Sequence, residues 1–424
     1  MKVLVVGGGG REHAIVKALK KNERIKQIYA APGNGGIGCD AQCIPIKAAD
    51  IPGMIEFVTN NSVDYVVVAP DDPLALGMVD ALEVKGIPCF GPNKAAARIE
   101  GSKVFSKNLM KKYGIPTAEY EVFDSADMAK KYVKTNQKYP LVIKADGLAL
   151  GKGVFIVLDQ SQALETIDTI MVDKKFGDSG SSIVIEEFLS GPEVSVLAFT
   201  DGNTIIPMVS SMDHKRAFDG NTGPNTGGMG TIAPNPYYTK KIAAICEKTI
   251  FLPTINAMLT EGCPFKGCLY FGLMLTAAGP VVIEYNCRFG DPETQVILPL
   301  LETDLFEVME AVTHNRLSSI DIRWASGSAA CVILASGGYP DSYKSGFAIN
   351  GLDANGSLNE ITVFHSGTTF KDGVFLTTGG RVLGVTAAAS TLDNALKKAY
   401  KAAGSIHFEG MFYRKDIGNM SCVS

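Results

Sequence analysis

Residues 141–157 read LVIKADGLALGKGVFIV, two β-branched runs joined by a loop that contains three glycines and one lysine. A phosphate-binding P-loop has four residues between its first two glycines and opens a helix, whereas three residues separate Gly147 from Gly151 and a second strand follows. Gly153 stands where a P-loop has the Ser or Thr that binds magnesium. The stretch therefore predicts a hairpin that closes as a mobile flap over a triphosphate, with the Lys152 ammonium acting on the phosphates. A solvated hairpin with an incidental lysine is the alternative.

The N-terminal part of the chain alternates short apolar runs with helix-period stretches from Lys2 to about Gly91. Such alternation is typical of parallel βαβ units and predicts a doubly wound α/β domain. A helix that carries both Arg98 and Lys103 is predicted after Pro92, and Gly114-Ile115-Pro116 is expected to end it.

The remainder of the chain is predicted to form two α+β modules and a β-rich C-terminal domain. Evidence for the last unit is the apolar run Ala329–Ala335, a β-rich stretch at Arg381–Thr386 and one late helix near Asn394–Ala403. The predicted units are an N-terminal α/β substrate domain at 1–100, a small module with the glycine flap at 101–189, a large module at 190–325 and the C-terminal domain at 326–424.

Composition and charge restrict the class of partner. The chain has 40 basic and 44 acidic residues, a net charge of −4 and no dense Lys/Arg block, so neither nucleic acid nor an anionic membrane is an expected partner. Nine cysteines, an odd number without a C-x-x-C pair, indicate reduced thiols rather than disulfides or a zinc site. Met1–Gly7 runs directly into a strand pattern, and no apolar run approaches the ~20 residues of a membrane span. We expect a soluble, cytoplasmic protein that is a monomer or a weak dimer.

A run of four glycines, Gly7 to Gly10, ends the first predicted strand and precedes Arg11-Glu12-His13. The preferred interpretation is an anion site made of these backbone amides and the Arg11 guanidinium. A nicotinamide dinucleotide site is less favoured, because Glu12 stands at the third glycine position and Ala30-Ala31-Pro32 offers no acid after the second strand. A tight turn without a ligand is the other alternative.

Glu284 and Asn286 follow the apolar run Val281–Ile283, and strand alternation places their side chains on one face. Two oxygen ligands suit magnesium, which completes its shell with water and nucleotide phosphate. Arg288 continues the same face, where a guanidinium would hold an acyl phosphate or a carboxylate. A solvent-facing strand end with a surface ion pair is the alternative.

The segment 220–230 has five glycines in eleven residues and is expected to be a shaped loop rather than a regular element. Asp213-His214-Lys215-Arg216 before it carries both charge signs, which favours a zwitterionic or phosphorylated substrate. A flexible connector is the alternative for the loop. The histidines are too scattered for a metal cluster, so each is interpreted as structural: His13, His214, His314, His365 and His407.

Taken in order, these motifs resemble the glycinamide ribonucleotide synthetase family of the ATP-grasp superfamily, over nearly the whole chain. The two α+β modules would then be the two modules of an ATP-grasp fold. The motifs that carry the resemblance are Gly8–Ala14, Gly101–Lys103, Lys144–Val154, Asp213–Arg216, Thr222–Gly230, Asn286–Gln295, Gly379–Leu383 and Arg414–Gly418.

The resemblance implies that ATP, glycine and 5-phosphoribosylamine give glycinamide ribonucleotide, ADP and phosphate through glycyl phosphate, in purine biosynthesis. ATP would lie between the two modules. The implied nucleotide contacts are Lys103, Lys144, Gly151 and Lys152 on the phosphates, the segment Glu186, Glu187, Phe188 and Leu189 on adenine, and Glu193 on the ribose, with Mg²⁺ or Mn²⁺ on Glu284 and Asn286.

The resemblance also places the sugar phosphate near Gly9, Gly10, Arg11 and Asn34, with Asp213 and Arg288 at the reacting end, where Arg288, Asp213 and Lys152 would take part in catalysis. One departure concerns the strand before the metal strand, Gly267–Gly272, which lacks the acid that many ATP-grasp enzymes have there. Two alternatives stay open: an ATP-grasp ligase that uses formate or bicarbonate with a different ribonucleotide, and a nucleotide-binding sensor or dehydrogenase without ligation.

Overall fold

The N-terminal unit is a parallel sheet with helices on both faces, which confirms the doubly wound prediction. The computed structural model describes residues 1–148, 153–358 and 361–420. The central strand pairs Val3 with Ile28 on one side and with Tyr65 on the other, in the strand order β3-β2-β1-β4-β5. The elements are β1 Lys2–Gly7, α1 Gly10–Leu19, β2 Gln27–Pro32, α2 Ile37–Asp40, β3 Gln42–Cys43, α3 Ile51–Asn60, β4 Tyr65–Val68, α4 Asp71–Leu76, α5 Met78–Val84 and β5 Cys89–Phe90.

Two helices, α6 (Lys94–Gly101) and α7 (Lys103–Tyr113), stand where one was predicted. Ser102 separates them in an extended conformation, and its hydroxyl accepts a hydrogen bond from the Phe105 amide at 3.0 Å as the N-cap of α7. The single-helix prediction was wrong because a serine inside a helical pattern gives no strong stop signal. The break places Lys103 in the first turn of α7. At the other end of this helix, Gly114 adopts a left-handed conformation.

The small module is an antiparallel sheet of order β6-β9-β7-β8 covered by two helices. The quoted hairpin strands pair as predicted, with Leu141 opposite Val157 and Lys144 opposite Val154. The predicted flap tip at 149–152, including Gly151 and Lys152, lies outside the described residues. The elements are β6 Tyr120–Phe123, α8 Ala126–Thr135, β7 Leu141–Ala145, β8 Val154–Val157, α9 Gln160–Ile167 and β9 Ile183–Glu187.

The large module contains a second antiparallel sheet of order β11-β10-β16-β17, which packs against the N-terminal unit in shared apolar clusters. Its last pair places Glu284 opposite Gly272 and Asn286 opposite Tyr270, with a register shift beside Gly272. The elements are β10 Glu193–Asp201, β11 Ile205–Pro207, β12 Met212–Asp213, β13 Arg216–Phe218, β14 Thr222–Asn225, β15 Gly230–Ala233, α10 Lys240–Cys246, α11 Leu252–Thr260, β16 Lys266–Thr276, β17 Gly279–Asn286, α12 Thr294–Ile297 and α13 Leu305–Thr313.

A π-helical turn at Glu247–Phe251 joins α10 and α11 into one continuous helix, Lys240–Thr260. Among the described residues, this is the one helix that is long and apolar enough to cross a membrane. Length and apolar character alone select it, and the core helices of soluble proteins meet the same test. Its buried residues Cys246, Ile250 and Phe251 belong to the apolar cluster that also contains Tyr285 of β17.

The C-terminal domain is rich in strands, as predicted, and its main sheet has the order β12-β15-β18-β22-β19. Two of these strands come from the large module, so the segment 212–233 belongs structurally to the C-terminal sheet. The remaining elements are β18 Ser328–Ala335, β19 Thr362–His365, β20 Thr368–Lys371, β21 Val374–Thr377, β22 Arg381–Ala389 and α14 Leu392–Ala403.

The expectation of an irregular loop over 220–230 was wrong in part. Thr222–Asn225 forms strand β14, which pairs antiparallel with Arg216–Phe218. Gly220 and Gly223 adopt φ of +69° and +81°, conformations that glycine accepts without strain. The glycines therefore shape a short hairpin rather than prevent one.

Candidate active site

Lys144 connects the small module to the large one. From β7 its ammonium contacts the Glu186 carboxylate of β9 at 2.9 Å and donates to the Ile283 carbonyl of β17 at 3.1 Å. Ile283 immediately precedes Glu284, so the first strand of the flap hairpin lies against the strand predicted to bind the metal. The described base of the hairpin therefore lies close to Glu284, where the two modules meet.

Glu186 is nearly fully buried and pairs with a second lysine, Lys107, at 3.0 Å. The Lys107 ammonium also donates to the Thr117 hydroxyl at 2.7 Å, and burial lowers its pKa to about 8. Sequence reasoning missed Lys107. The available signal was its helical spacing from Lys103, which places both side chains on one face of α7.

Lys103 is placed at the base of the flap by a short network. Its ammonium donates to the Gly147 carbonyl at 3.0 Å and its amide to the Asp146 carbonyl at 3.1 Å. The Asp146 carboxylate in turn accepts from the Val104 amide at 2.8 Å and from the Ser102 hydroxyl. The N-terminus of α7 is thereby tied to the beginning of the glycine loop.

Glu284 lies among three lysines. Lys215 contacts its carboxylate at 3.3 Å and is the main reason that the Glu284 pKa falls to about 2, with Lys144 and Lys103 adding to the effect against burial. Lys215 also lies 3.4 Å from the Glu193 carboxylate, and the two acids raise the Lys215 pKa well above its ordinary value. Lys215 was noted in the sequence only as part of a charged run, and its position between Glu193 and Glu284 was missed.

Glu284 and Asn286 have the donor chemistry that a hard divalent cation requires. The Glu284 carboxylate is ionised, and the Asn286 side-chain carbonyl accepts one hydrogen bond, from Arg288 at 2.9 Å, which leaves its second lone pair. Within the described ranges, no group of three or more His, Cys, Asp or Glu side chains is arranged to hold a metal. The residues fit a metal held by two protein oxygens and completed by phosphate and water.

Arg288 is anchored by Glu100, a buried acid that sequence reasoning missed. The guanidinium contacts Glu100 at 3.0 Å and donates to the Phe289 carbonyl at 3.3 Å. Its Nε is buried without a hydrogen-bond partner in the described part of the chain. An unpaired buried donor beside Asn286 is suited to a carboxylate or phosphate oxygen.

Protein carboxylates already accept some of the hydrogen bonds that the N-terminal glycine turn could donate to a bound anion. The Gly9 amide donates to Glu12 at 2.6 Å, the Arg11 Nε donates to Glu12 at 2.6 Å, and the Arg11 amide donates to Asp291 at 3.4 Å. Glu12 thus occupies the position where a dinucleotide fingerprint needs glycine and phosphate, which argues against the nicotinamide interpretation. Gly10 lies against Gln295 and Ser366, with no room for a Cβ.

Asn34 has a structural role in this arrangement. Its amide donates to the Gly8 carbonyl at 2.9 Å and to the His365 carbonyl at 2.7 Å, and its oxygen accepts from the Ile37 amide. The side chain therefore joins the glycine turn to the C-terminal domain.

A cleft of about 480 Å³ opens beside the turn. Arg11 and Lys47 are the cations in its lining, and Glu12 and Asp291 are the acids. Lys47 was not predicted, because nothing in its local sequence distinguishes it from an ordinary surface lysine.

Asp213 lies half-buried where the large module meets the C-terminal domain. Burial and the nearby Glu293 raise its pKa well above the ordinary value, while Lys215 and Arg381 oppose that shift. Arg381 comes from the C-terminal domain, donates to the Gly227 and Asp291 carbonyls, and lies 3.4 Å from the Asp291 carboxylate. Its place at the site was missed, although it falls in one of the family motifs.

The segment predicted to contact adenine, 186–189, covers the end of β9 and the beginning of the connection to the large sheet. The Glu187 amide donates to the Glu119 carbonyl at 3.0 Å, and the Glu187 carboxylate accepts from the Glu119 amide at 2.9 Å. Leu189 is half-buried, and Phe188 and Glu193 are exposed. These nucleotide contacts stay predictions.

Comparisons with known proteins cover almost the entire chain. Residues 1–100, 101–294 and 329–420 match the N, ATP-grasp (A) and C domains of phosphoribosylglycinamide synthetase. A phosphoribosylamine–glycine ligase of Caldanaerobacter subterraneus subsp. tengcongensis is 50% identical over 98% of this chain and 99% of its own length. One of Clostridium acetobutylicum is 48% identical over 99% of both chains.

A solved structure agrees with these matches. The crystal structure of the phosphoribosylamine–glycine ligase from Thermotoga maritima superposes with a TM-score of 0.86 at 34% identity, covering 99% of this chain and 100% of the other. The family that the sequence motifs indicated is confirmed: this chain belongs to the phosphoribosylglycinamide synthetase family.

Proposed function

We propose that this protein joins glycine to 5-phosphoribosylamine with ATP, giving glycinamide ribonucleotide, ADP and phosphate through glycyl phosphate. One observation carries the proposal: the Phe289 carbonyl accepts hydrogen bonds from both Arg11, at 3.2 Å, and Arg288, at 3.3 Å. Arg11 lines the N-terminal cleft and Arg288 lies beside Asn286 in the nucleotide cleft. The two clefts therefore meet at one carbonyl, as a ligase with two separately bound substrates requires.

Membership of the family supports the identity of the substrates, since the relatives at 50% and 48% identity are named phosphoribosylamine–glycine ligases. The cleft chemistry agrees with them. Arg11 and Lys47 suit the phosphate of a ribose phosphate, and the unpaired Arg288 Nε suits the carboxylate of glycine or the phosphate of its activated form. A second ATP-grasp ligase using formate or bicarbonate has no specific observation in its favour.

The residues would contribute positioning and charge rather than covalent chemistry. Lys103 and Lys144 would neutralise the triphosphate, and Arg288 would orient the glycine carboxylate towards the γ-phosphate. A bound magnesium or manganese ion on Glu284 and Asn286 would supply further charge neutralisation at the phosphates. The flap with Gly151 and Lys152 would exclude water from glycyl phosphate until the ribosyl amine attacks.

The remaining nucleotide contacts follow the same arrangement. Glu186, Glu187 and Leu189 would lie at adenine, Glu193 at the ribose, and Asp213 at the reacting end. Glu186 would act at the adenine end through its main chain, because its side chain is held by Lys107 and Lys144. Gly9, Gly10 and Asn34 would shape the ribose-phosphate cleft.

We further propose a cytoplasmic location, small-molecule partners only, and a monomer or weak dimer.

The test is the substrate dependence of phosphate release from ATP by the purified protein. Release should require glycine and freshly prepared phosphoribosylamine together, and the product should have the mass of glycinamide ribonucleotide. Release with formate or bicarbonate in place of glycine would favour the second ligase, and binding of reduced nicotinamide without ATP turnover would favour a dehydrogenase or sensor.

A further inference from the structure

The C-terminal segment Arg414–Gly418 has no part in the site described above, yet it lies against the connection between β12 and β13 that contains Lys215. Arg414 is fully buried, and its guanidinium holds the Asp416 carboxylate by two hydrogen bonds, at 2.7 and 2.9 Å. The same guanidinium donates to the Arg216 carbonyl at 3.1 Å. A buried, two-pronged ion pair thus fixes the residue that follows Lys215.

His214, in the connection between β12 and β13, makes the second contact with the segment. Its side chain is buried, whereas those of Asp213 and Lys215 are partly exposed. Its Nε2 accepts from the Gly418 amide at 3.0 Å, so its Nδ1 carries the proton and donates to the Gly230 carbonyl at 3.1 Å. Burial and the nearby Arg414 lower the His214 pKa to about 4, which keeps the ring neutral in this arrangement.

Further hydrogen bonds hold the segment itself in place. The Lys415 amide donates to the Asp219 carboxylate at 2.7 Å, and the Gly220 amide donates to Asp416 at 2.9 Å. The Tyr400 hydroxyl of α14 accepts from the Ile417 amide at 2.9 Å and donates to the Arg414 carbonyl at 3.0 Å. The segment is therefore fixed to α14 on one side and to the hairpin of β13 and β14 on the other.

We propose that His214 is a positioning residue for Lys215: by accepting the Gly418 amide, it anchors the connection between β12 and β13 to the C-terminal segment and places the Lys215 ammonium between Glu193 and Glu284. The inference rests on the proposed function, which places both acids in the nucleotide cleft. Lys215 directly follows His214, so the anchor fixes the backbone from which the Lys215 side chain reaches both acids.

A matched pair of substitutions isolates the connection to Gly418. His214→Gln places a side-chain oxygen where Nε2 accepts the Gly418 amide, whereas His214→Asn reproduces only the donor at Nδ1. We expect His214→Asn to lower kcat roughly 100-fold with a smaller change in the KM for ATP, because misplacement of about 1 Å has that scale of effect. His214→Gln should retain most of the activity. Equal kcat for the two variants would overturn the inference.

A double-mutant cycle distinguishes positioning from a general loss of structure. In a Lys215→Met background, adding His214→Asn should lower kcat by less than about twofold, because the ammonium that His214 positions is absent. Independent structural effects would multiply, and a second loss as large as the first would contradict the inference. Amide hydrogen exchange gives a readout without turnover: the exchange rate of Gly418 should rise in His214→Asn and not in His214→Gln.

A remote substitution and a control complete the design. Tyr400→Phe releases the segment 414–417 from α14 without contacting His214, and it should lower kcat more weakly and non-additively with His214→Asn. Lys397→Ala removes an exposed ion pair with Asp393 on the same helix and should leave kcat unchanged. Inactive unmodified protein would overturn the proposed function, whereas active unmodified protein with an unaffected His214→Asn variant would overturn this inference alone.

Discussion

The proposed nucleotide cleft around Glu284 and the N-terminal cleft beside Arg11 have opposite arrangements of charged side chains. In the nucleotide cleft, lysines surround an acid, since Lys215, Lys144 and Lys103 all lower the Glu284 pKa. In the N-terminal cleft, acids occupy the sites that an anion would use, since Glu12 accepts from both the Gly9 amide and the Arg11 guanidinium. The first arrangement suits the proposed binding of a polyanion with a metal. In the second, the cations that line the cleft, Arg11 and Lys47, would bind the proposed phosphate.

The largest loss of activity is expected when a cation is removed from the proposed nucleotide cleft. Lys144→Ala deletes the ammonium that joins the two modules and leaves Glu186 with Lys107 as its remaining partner. We expect kcat/KM for ATP to fall roughly 10²- to 10³-fold, the scale seen when one preorganised charge-stabilising group is lost. Steady-state phosphate release measures the effect. Lys134→Ala, an exposed lysine of the same module, is the control, and unchanged turnover in Lys144→Ala would remove this lysine from the site.

The junction between the two clefts is tested by Arg288→Lys. The substitution keeps the charge but loses the fork that contacts Glu100, Asn286 and the Phe289 carbonyl together. Turnover should fall about 10- to 100-fold, because a lysine does not reproduce a planar, several-pronged contact. Arg24→Lys, at an exposed pair with Glu310, serves as the matched control. A fully active Arg288→Lys variant would show that charge alone matters at this position.

A smaller and more selective effect is expected at the N-terminal cleft. Lys47→Ala should raise the KM for phosphoribosylamine about 10-fold, the scale of one lost charge-assisted hydrogen bond, and leave the KM for ATP unchanged. The exposed Lys85 of the same domain provides the control substitution, Lys85→Ala. Equal changes in both KM values would contradict separate binding in the two clefts.

The smallest effect concerns stability and pH where the N-terminal domain meets the C-terminal domain. Burial lowers the pKa of His13 from 6.5, and burial together with His13 lowers that of His365 to about 3. The unfolded chain binds these protons more readily, so stability is fully present above pH 6.5 and is lost as the pH falls towards the folded values. Near pH 5.5 the loss from His365 should be roughly 1 kcal/mol, with a small decrease in Tm, and His13 should add to it in the same direction.

Calorimetry between pH 7.5 and pH 5 measures this loss, at pH values chosen to bracket the ordinary histidine pKa of about 6.5. His365→Gln should flatten the dependence relative to the exposed His314→Gln variant. A Tm that does not change over this range would show that neither buried histidine is linked to unfolding.

Local periodicity was sufficient where the site depends on one element. The alternation after Val281 placed Glu284 and Asn286 on one strand end, and the strand, loop, strand pattern of 141–157 identified the hairpin. Charge partners from distant parts of the chain were not accessible in this way. Glu100 meets Arg288 across 188 positions, and Lys107 meets Glu186 only because helix α7 packs against strand β9.

The glycine-rich segment shows a different limit. Its composition argued for a loop, because glycine has no intrinsic preference for a strand. β14 pairs locally with β13, but the pairing of β15 with β18 depends on a strand of the C-terminal domain. Ser102 shows a related limit: serine is tolerated inside helices, and here its hydroxyl caps α7 through the Phe105 amide and donates to Asp146.

The sheet that joins β12 and β15 to β18, β22 and β19 has a consequence for how the molecule acquires its structure. β12 and β15 are translated well before β18, with which β15 pairs. Because these partners are far apart in the sequence, the sheet has a high contact order and is expected to form slowly. Until then β15 lacks its partner strand β18, and a nascent chain halted before β18 would contain the hairpin of β13 and β14 without the completed sheet. Chaperone dependence or co-translational protection is therefore to be sought over residues 212–233, before the C-terminal strands arrive.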